Sequence, residues 1–200
     1  MNDEPNTTSD SALKQVLSHI QSSDNDDRQV VIMTCGISGA GKSTLSKDIV
    51  KKLPNSARLS VDSYIYENYG LFKIDYPEGK YPEYQAEGLQ HVKAELIRLL
   101  GEKQKDIVLD LAFWNRKYRE EYKEAIAKHG GRWLLVFLDA DKEVLRRRIA
   151  GRRAQRDALS LDDKRRDGDT AFDVENETFE MYWDGFERPV GEGEIVIKVL

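Results

Sequence analysis

The chain has 200 residues, and its 31 lysines and arginines against 36 aspartates and glutamates give a net charge of −5. This acidic balance argues against a general nucleic-acid or membrane-surface binder, because such proteins usually present a basic face. The length suits one domain, and the single cysteine excludes an internal disulfide and fits a reducing compartment. No apolar run approaches the ~20 residues of a membrane helix. The acidic start of the chain is unlike a leader peptide, so we expect a cytoplasmic or nuclear protein.

The first residues of the chain predict a tail, a helix and a linker. Residues 1–8 are polar and favour disorder. Ser9 or Asp10 can cap a helix that packs on the flank of the domain. Its apolar residues share one face: Ala12, Leu13, Val16, Leu17 and Ile20. A polar linker follows, so that residues 9–28 form an N-terminal segment ahead of the main domain, 29–200.

A glycine-rich loop follows the first predicted strand. The run 30–35 is apolar and rich in β-branched residues, and Leu45, Ile49 and Leu53 have helical spacing. Residues 36–43 between them read Gly-Ile-Ser-Gly-Ala-Gly-Lys-Ser, which fits the phosphate-loop pattern. A glycine turn without a ligand is the alternative interpretation. The Lys-Ser pair and both flanking elements favour the binding of a nucleoside triphosphate.

The chemistry of the loop explains its residue types. Glycines let backbone N–H groups approach phosphate oxygens, and the start of a helix adds free N–H groups and a positive dipole end. Lys42 supplies a charge for the β- and γ-phosphates, and Ser43 supplies an oxygen ligand for Mg²⁺. Cys35 beside the loop is predicted to be a small buried filler. The predicted nucleotide-binding residues are Gly36, Ser38, Gly39, Ala40, Gly41, Lys42, Ser43 and Thr44.

The remaining elements alternate along the chain. Strands are predicted at 57–61, 106–110, 133–138 and 194–199, and helices at 115–129, 141–156 and 175–186. A further helix has Leu89, Val92, Leu96, Ile97 and Leu100 on its apolar side. Before it, residues 64–84 are rich in tyrosine and predict an ordered excursion rather than a linker. The alternation and the apolar strands predict an α/β protein with a parallel sheet covered on both faces.

Two aspartates end predicted strands. Asp62 follows the second strand, at the edge where ligands of open α/β sheets bind, and a carboxylate there can accept the proton of an attacking hydroxyl. Asp110 ends the third strand and can hold an Mg²⁺-bound water or the acceptor. For both residues, a helix N-cap or a turn aspartate is the structural alternative.

Two groups of cations are candidates for binding phosphate or an acceptor. Arg116, Lys117 and Arg119 open a helix, where cations oppose the dipole unless an anion is near. The alternative is that they are solvated beside Glu120 and Glu121.

The second group crowds one later helix: Arg146, Arg147, Arg148, Arg152, Arg153 and Arg156. Arg148 and Arg152 are four residues apart on the side of Leu145 and Ile149, so they point together and repel. Polyphosphate would relieve that repulsion, and guanidinium groups stabilise a transferring phosphate. We expect most of the other arginines to coat a solvated face.

These features together resemble a known family. They are residues 36–43, Asp62, the strand ending at Asp110 with Phe-Trp-Asn-Arg at 113–116, the pattern Leu145-x-x-Arg148-Ile149-x-x-Arg152, and Phe-Glu-x-Pro at 186–189. Residues 30–199 resemble the P-loop kinases of the group that contains zeta toxins, chloramphenicol phosphotransferase and polynucleotide 5′-kinases. The nearest likeness is to small ATP-binding proteins of that group.

The resemblance implies a three-layer P-loop fold of the kinase type, with a five-stranded parallel sheet and a helical lid at about 146–170. It also implies transfer of the γ-phosphate of ATP, with Mg²⁺, to a hydroxyl. Lys42, Asp62 and Arg152 would be catalytic, with Arg148 on the nucleotide and Ser43 and Asp110 on the metal. The predicted acceptor contacts are Asp62, Tyr64, Asp110, Arg116 and Arg119.

Rival functions are separated by single positions. A switch GTPase would have a glycine three residues after Asp110 and an Asn-Lys-x-Asp motif, and a mechanical ATPase would have a carboxylate where Leu111 stands. A polynucleotide 5′-kinase has an arginine where this chain has Ile65, and the acidic net charge also disfavours such an acceptor. We therefore favour a small-molecule acceptor and expect no membrane partner. A zeta-toxin-like nucleotide-sugar kinase and an ATP-binding interaction module remain alternatives.

Overall fold

The computed structural model describes residues 7–21, 26–160, 163 and 174–200. The strands are β1 Val30–Cys35, β2 Ser56–Ser60, β3 Asp106–Asp110, β4 Arg132–Ala140 and β5 Glu194–Val199. The helices are α1 Thr7–Gln21, α2 Lys42–Lys52, α3 Val61–Tyr69, α4 Tyr81–Glu102, α5 Arg116–Lys128, α6 Lys142–Asp157 and α7 Asn176–Gly185, with a 3₁₀ turn at Glu78–Lys80.

The five strands form one parallel sheet in the order β2-β3-β1-β4-β5. All six residues of β1, the central strand, are buried, as expected for an apolar strand covered on both faces. The chain passes from β1 to the far side of β3, so the strand order reverses beside β1. Ligands of open α/β sheets bind outside the carboxyl ends of strands at such a point. The predicted fold class is confirmed.

Two apolar layers hold the helices on the sheet. On one face, alternate strand residues such as Ile32, Val108 and Val136 pack in a cluster with α1, α2 and α6. On the other face, Met33 and Leu109 pack in a cluster with α3, α4 and α5. This alternation follows from the two-residue period of a strand, and both faces are therefore covered.

Helix α1 lies on the flank of the domain. Ala12, Leu13 and Val16 are buried, and the helix packs on α2 and β5. It begins at Thr7, so Ser9 and Asp10 lie inside the helix rather than at the predicted cap. The parts of the predicted tail and linker at residues 1–6 and 22–25 lie outside the described residues.

The second strand and the tyrosine-rich segment differ from the prediction. Strand β2 ends at Ser60, and α3 begins at once because the Ser60 hydroxyl accepts a hydrogen bond from the Ser63 N–H at 3.3 Å, which caps the helix. The predicted excursion is therefore a helix, a turn and the start of α4. Within α4, Ile97 is 38% exposed and Leu99 is buried instead, which corrects the predicted apolar face.

The predicted lid is described in part. Helix α6 covers its first section, and residues 161–162 and 164–170 lie outside the described residues. In the described part of the chain, no helix is long and apolar enough to cross a membrane.

Candidate active site

The glycine-rich loop joins β1 to α2 with the geometry its sequence predicts. Gly39 and Gly41 have φ angles of 87° and 98°, in the left-handed region that favours glycine. A Cβ atom on Gly39 would also lie 3.2 Å from the Leu145 carbonyl oxygen, so α6 and the loop are in close contact. Gly41 precedes α2 without a side-chain cap. The N–H groups of the first turn of α2 can therefore serve an anion at the loop.

Lys42 lies within the loop and near both predicted carboxylates. Its Nζ donates a hydrogen bond to the Ile37 carbonyl at 3.1 Å. Burial lowers the pKa of Lys42, and the negative charges of Asp110 and Asp62 act in the opposite direction. The loop lysine and the two aspartates thus share one electrostatic environment.

Cys35 is buried beside the loop, as predicted. Its thiol is fully shielded from solvent and donates to the Phe113 carbonyl at 3.5 Å. Burial raises its pKa to about 12. The thiol therefore stays protonated and fills space in the core.

The two arginines selected from α6 lie against the glycine loop. Arg152 Nη2 donates to the Ser38 hydroxyl at 3.4 Å. Arg148 Nη1 would lie 3.8 Å from a Cβ atom on Gly41, and its Nη2 donates to the Leu200 carbonyl at 3.0 Å. Leu145 and Ile149, which are buried, seat this face of α6 on the loop.

Other arginines of α6 have different partners. Arg146 pairs with Glu143 and Glu180, and Arg153 donates to the Val174 carbonyl. Arg147 is exposed. Arg153 and Arg156 are half-buried rather than on a solvated face. Phosphate contact by Arg148 and Arg152 stays a prediction.

Asp110 is paired with an arginine that the sequence interpretation did not select. Asp110 is 7% exposed at the end of β3. Arg58 of β2 donates from Nε to its Oδ2 at 3.0 Å, and from Nη2 to the same oxygen. The remaining nitrogen, Nη1, donates to the Ser63 hydroxyl at 3.0 Å. The sequence signal that could have found Arg58 is its position inside a predicted strand, between Ala57 and Leu59. A cation there needs an acidic partner.

Asp62 lies in the first turn of α3, where Ser60 is the cap, so Asp62 is not the N-cap. Three tyrosines, Tyr76, Tyr81 and Tyr182, feel its charge. The pKa of Tyr76 is raised to about 12, first by burial and then by Asp62. Tyr182 comes from α7, is 37% exposed, and was not selected from the sequence. Side chains from α4, from α7 and from the segment before α4 thus lie within range of the charge of Asp62.

Tyr64 occupies a different position from the predicted acceptor contact. Its hydroxyl donates to Glu87 Oε1 at 2.6 Å, and its ring stacks on His91 with centroids 4.5 Å apart. Tyr69 donates to the other oxygen of Glu87 at 2.6 Å. These contacts tie α3 to α4, so the side chain of Tyr64 serves their packing.

The two arginines predicted at the start of α5 separate. Arg116 is exposed, and its backbone N–H donates to Glu187 Oε2 at 2.8 Å. Arg119 is fully buried: Nε and Nη2 donate to Glu192, and Nη1 donates to the carbonyls of Phe113 and Glu187. This placement does not agree with the acceptor contact predicted for Arg119, because its donors are already bonded to Glu192, Glu187 and Phe113.

The residues predicted to hold Mg²⁺ fit that ion. Ser43 lies in the first turn of α2, and Asp110 lies at the end of the strand beside β1. A hydroxyl and a carboxylate are hard oxygen donors, and Mg²⁺ is commonly held by one or two such groups together with phosphates. Within the described residues there is no group of three or more His, Cys, Asp or Glu that would form a metal site by itself.

Comparisons with known proteins agree with this geometry. The family model of an AAA domain matches residues 31–189. No curated protein matches the chain in sequence.

Solved structures of other proteins share its fold, and three of them are compared with it below. A protein of Chloroflexus aurantiacus J-10-fl, provisionally described as a kinase, is 17% identical with a TM-score of 0.62, over 86% of this chain and 85% of its own. Kti12 of Chaetomium thermophilum, solved with ADP-AlF3, is 15% identical with a TM-score of 0.57, over 84% and 88%. APE1195 is 19% identical with a TM-score of 0.54, over 86% of each chain. At these identities the likeness shows the fold alone.

Proposed function

The chain belongs to the AAA domain family and has the fold of P-loop kinases, and on this basis we propose that it is an ATP-dependent phosphotransferase. The observation that carries the proposal is the convergence of Lys42, two carboxylates and two arginines at one edge of the sheet. The loop and Lys42 bind the phosphates of ATP, and Ser43 and Asp110 hold Mg²⁺. The reaction transfers the γ-phosphoryl group to a hydroxyl of a small molecule.

Each side chain has a defined part in this reaction. The N–H groups of the loop and of α2 hold the phosphate oxygens, and Lys42 adds a positive charge. Arg152, beside Ser38, stabilises the charge that develops as the bond between the γ-phosphorus and the leaving oxygen of ADP breaks. Asp62 accepts the proton of the acceptor hydroxyl while the oxygen of that hydroxyl forms its bond to the γ-phosphorus. Mg²⁺, when bound, neutralises negative charge on the phosphates.

The surroundings of Asp62 support a small acceptor. Tyr182 is partly exposed and feels the charge of Asp62, and it offers a ring and a hydroxyl to a compound of modest size. Ile65, at the position where polynucleotide kinases have an arginine, is 3% exposed and packs in the core. A polynucleotide acceptor is therefore disfavoured. A nucleotide-sugar acceptor of the zeta-toxin type is the second candidate of the kinase class.

Replacing Asp62 by asparagine tests the proposal. Asparagine keeps the size of the side chain but cannot accept the proton, so Asp62→Asn should slow acceptor phosphorylation by ~10²–10⁴. The affinity for ATP, measured by calorimetry, should stay within a few-fold of wild type. Asp10→Asn is the matched control, because Asp10 is also an acidic residue in the first turn of a helix, on α1.

The acceptor is sought with a panel of hydroxylated metabolites, in which Mg·ATP is supplied and ADP release is recorded. A wild-type protein that binds ATP but releases no ADP with any compound would be an ATP-binding module. Normal turnover by Asp62→Asn would remove the base from the proposed mechanism.

A further inference from the structure

Arg58 has an unusual location for a charged residue. It lies inside β2, and its register partner on β3 is Val108, which packs against α2. Side chains two apart on a strand share a face, so Arg58, Val108 and Asp110 lie on the α2 side of the sheet. The Arg58 side chain is only 15% exposed. A guanidinium shielded to this extent is costly to desolvate, and its contacts must therefore offset that cost.

The contacts of Arg58 join two parts of the site. Nε and Nη2 both donate to Asp110, and Nη1 donates to Ser63. Ser63 is the neighbour of Asp62 in the first turn of α3, which is capped by Ser60. The planar guanidinium has donors in a fixed fork, so one side chain sets the distance and angle between the end of β3 and the start of α3.

We propose that Arg58 is a positioning residue that aligns Asp110, on the metal side of the site, with the turn of α3 that carries Asp62. The proposal rests on the proposed kinase function. In that reaction Asp110 acts at the Mg²⁺ on the phosphates of ATP, and Asp62 acts on the acceptor hydroxyl, so the two carboxylates must be held in register. Arg58 touches neither reacting atom. Its effect passes through Asp110 and Ser63.

Arg58 also sets the electrostatics of Asp110. Lys42 and Arg58 both act on this carboxylate, the first through space and the second by direct hydrogen bonds. A positive charge beside a carboxylate that holds Mg²⁺ opposes metal binding. Arg58 therefore keeps Asp110 in place at some cost in metal affinity. A variant without Arg58 should bind Mg²⁺ more tightly and catalyse the reaction more slowly. A residue with a purely structural role would not produce this pair of effects.

The experiment compares Arg58→Met with Arg58→Lys. ADP is titrated by calorimetry at a series of Mg²⁺ concentrations, and ATP turnover is measured under the same conditions. In Arg58→Met, the Mg²⁺ concentration for half-maximal enhancement of ADP binding should fall about threefold or more. Turnover should fall about tenfold or more because the two carboxylates are no longer aligned. Arg58→Lys keeps the charge but not the fork, so its metal dependence should stay near wild type while its turnover falls.

Arg132→Met is the matched control. Arg132 is also a strand arginine, on β4, with a side chain 11% exposed and 4.0 Å from Asp26. It should change neither the metal dependence nor the ratio of turnover to binding.

An unchanged metal dependence in Arg58→Met would overturn the proposal, and so would full turnover in that variant. If the wild-type protein binds Mg·ADP but never turns over ATP, the kinase function fails, and the alignment proposed for Arg58 fails with it. The calorimetric result for Arg58→Met then still shows whether Arg58 opposes the metal. The two failures are thus distinguishable.

Discussion

Replacing Arg119 by methionine should remove the main cation of a buried charge cluster and lower the stability of the fold. Arg119 is fully buried in α5, and Glu192, its partner, comes from the loop before β5. The side chains of the pair are 1% and 2% exposed. Methionine fills a similar volume without a charge, so the variant leaves a carboxylate buried with less compensation.

The magnitude follows from the contacts. Breaking a buried ion pair by removing one partner costs about 3–5 kcal/mol. Lys123 remains beside Glu192, with Nζ 3.4 Å from Oε2, and it keeps part of the compensation. We therefore expect a loss at the lower end, about 3 kcal/mol. With a urea m-value of about 2 kcal/mol/M, the unfolding midpoint should move down by about 1.5 M.

Equilibrium unfolding in urea, followed by circular dichroism, measures this loss. Arg98→Met is the control, because Arg98 is exposed on α4 and pairs there with Glu95 and Glu102. Its midpoint should barely move, as expected for a surface ion pair. A shift of less than about 0.5 M for Arg119→Met, roughly 1 kcal/mol on the same m-value, would refute the reasoning from burial.

Acid provides a second test of the same pair. The hydrogen bond from Arg119 holds the pKa of Glu192 below its ordinary value of 4.5. A lowered carboxyl pKa stabilises the folded state above that ordinary value, and the contribution is lost as pH falls through the folded pKa. The difference in stability between wild type and Arg119→Met should therefore be full near neutral pH and shrink below about pH 4.5. A difference that is constant from pH 7 to pH 3 would contradict the ionic origin of the effect.

Two further predictions concern the phosphate loop and α6. Lys42→Ala should weaken Mg·ATP binding by about tenfold or more, because one charge-assisted hydrogen bond to phosphate is lost. An unchanged affinity in calorimetry would contradict this prediction. Its melting temperature should stay close to that of wild type, because burial already lowers the pKa of Lys42 and so disfavours its charge in the folded protein. Arg152→Ala should reduce kcat more than it weakens ATP binding, with Arg147→Ala as the exposed control on the same helix. A raised KM for ATP at wild-type kcat would instead give Arg152 a role in binding alone.

The strands and the glycine loop could be predicted because their signals are local. Strands β3 and β5 have the predicted bounds, and the loop lies between β1 and α2. Helix α5 is bounded as expected, because Asn115 caps it through a hydrogen bond at 2.7 Å to the Tyr118 N–H. In these elements the apolar periodicity, the capping residue and the glycines of the turns lie within a few residues of each other, so a short stretch of sequence is enough to predict them.

The rest of the site depends on contacts between distant segments. Arg58 and Asp110 are 52 residues apart in sequence, and they come into contact only because β2 pairs with β3. From the sequence, Arg119 is a cation at the start of a helix. In the fold it is buried by its pairing with Glu192, which lies 73 residues later in the chain. Tyr182 of α7 comes within range of the charge of Asp62 only in the folded chain. Local sequence shows the chemistry of such residues but not their partners.

The shielding of Cys35 makes the protein convenient for labelling. The sequence has one cysteine, and burial both shields its thiol from reagents and raises its pKa to about 12, so the reactive thiolate is scarce at pH 7. Maleimides and mild oxidants should therefore leave the wild-type protein unmodified. A cysteine introduced at the exposed position 147 of α6 would be the single reactive thiol. A fluorophore attached there would test whether α6 moves relative to the glycine loop when nucleotide binds, without background signal from Cys35.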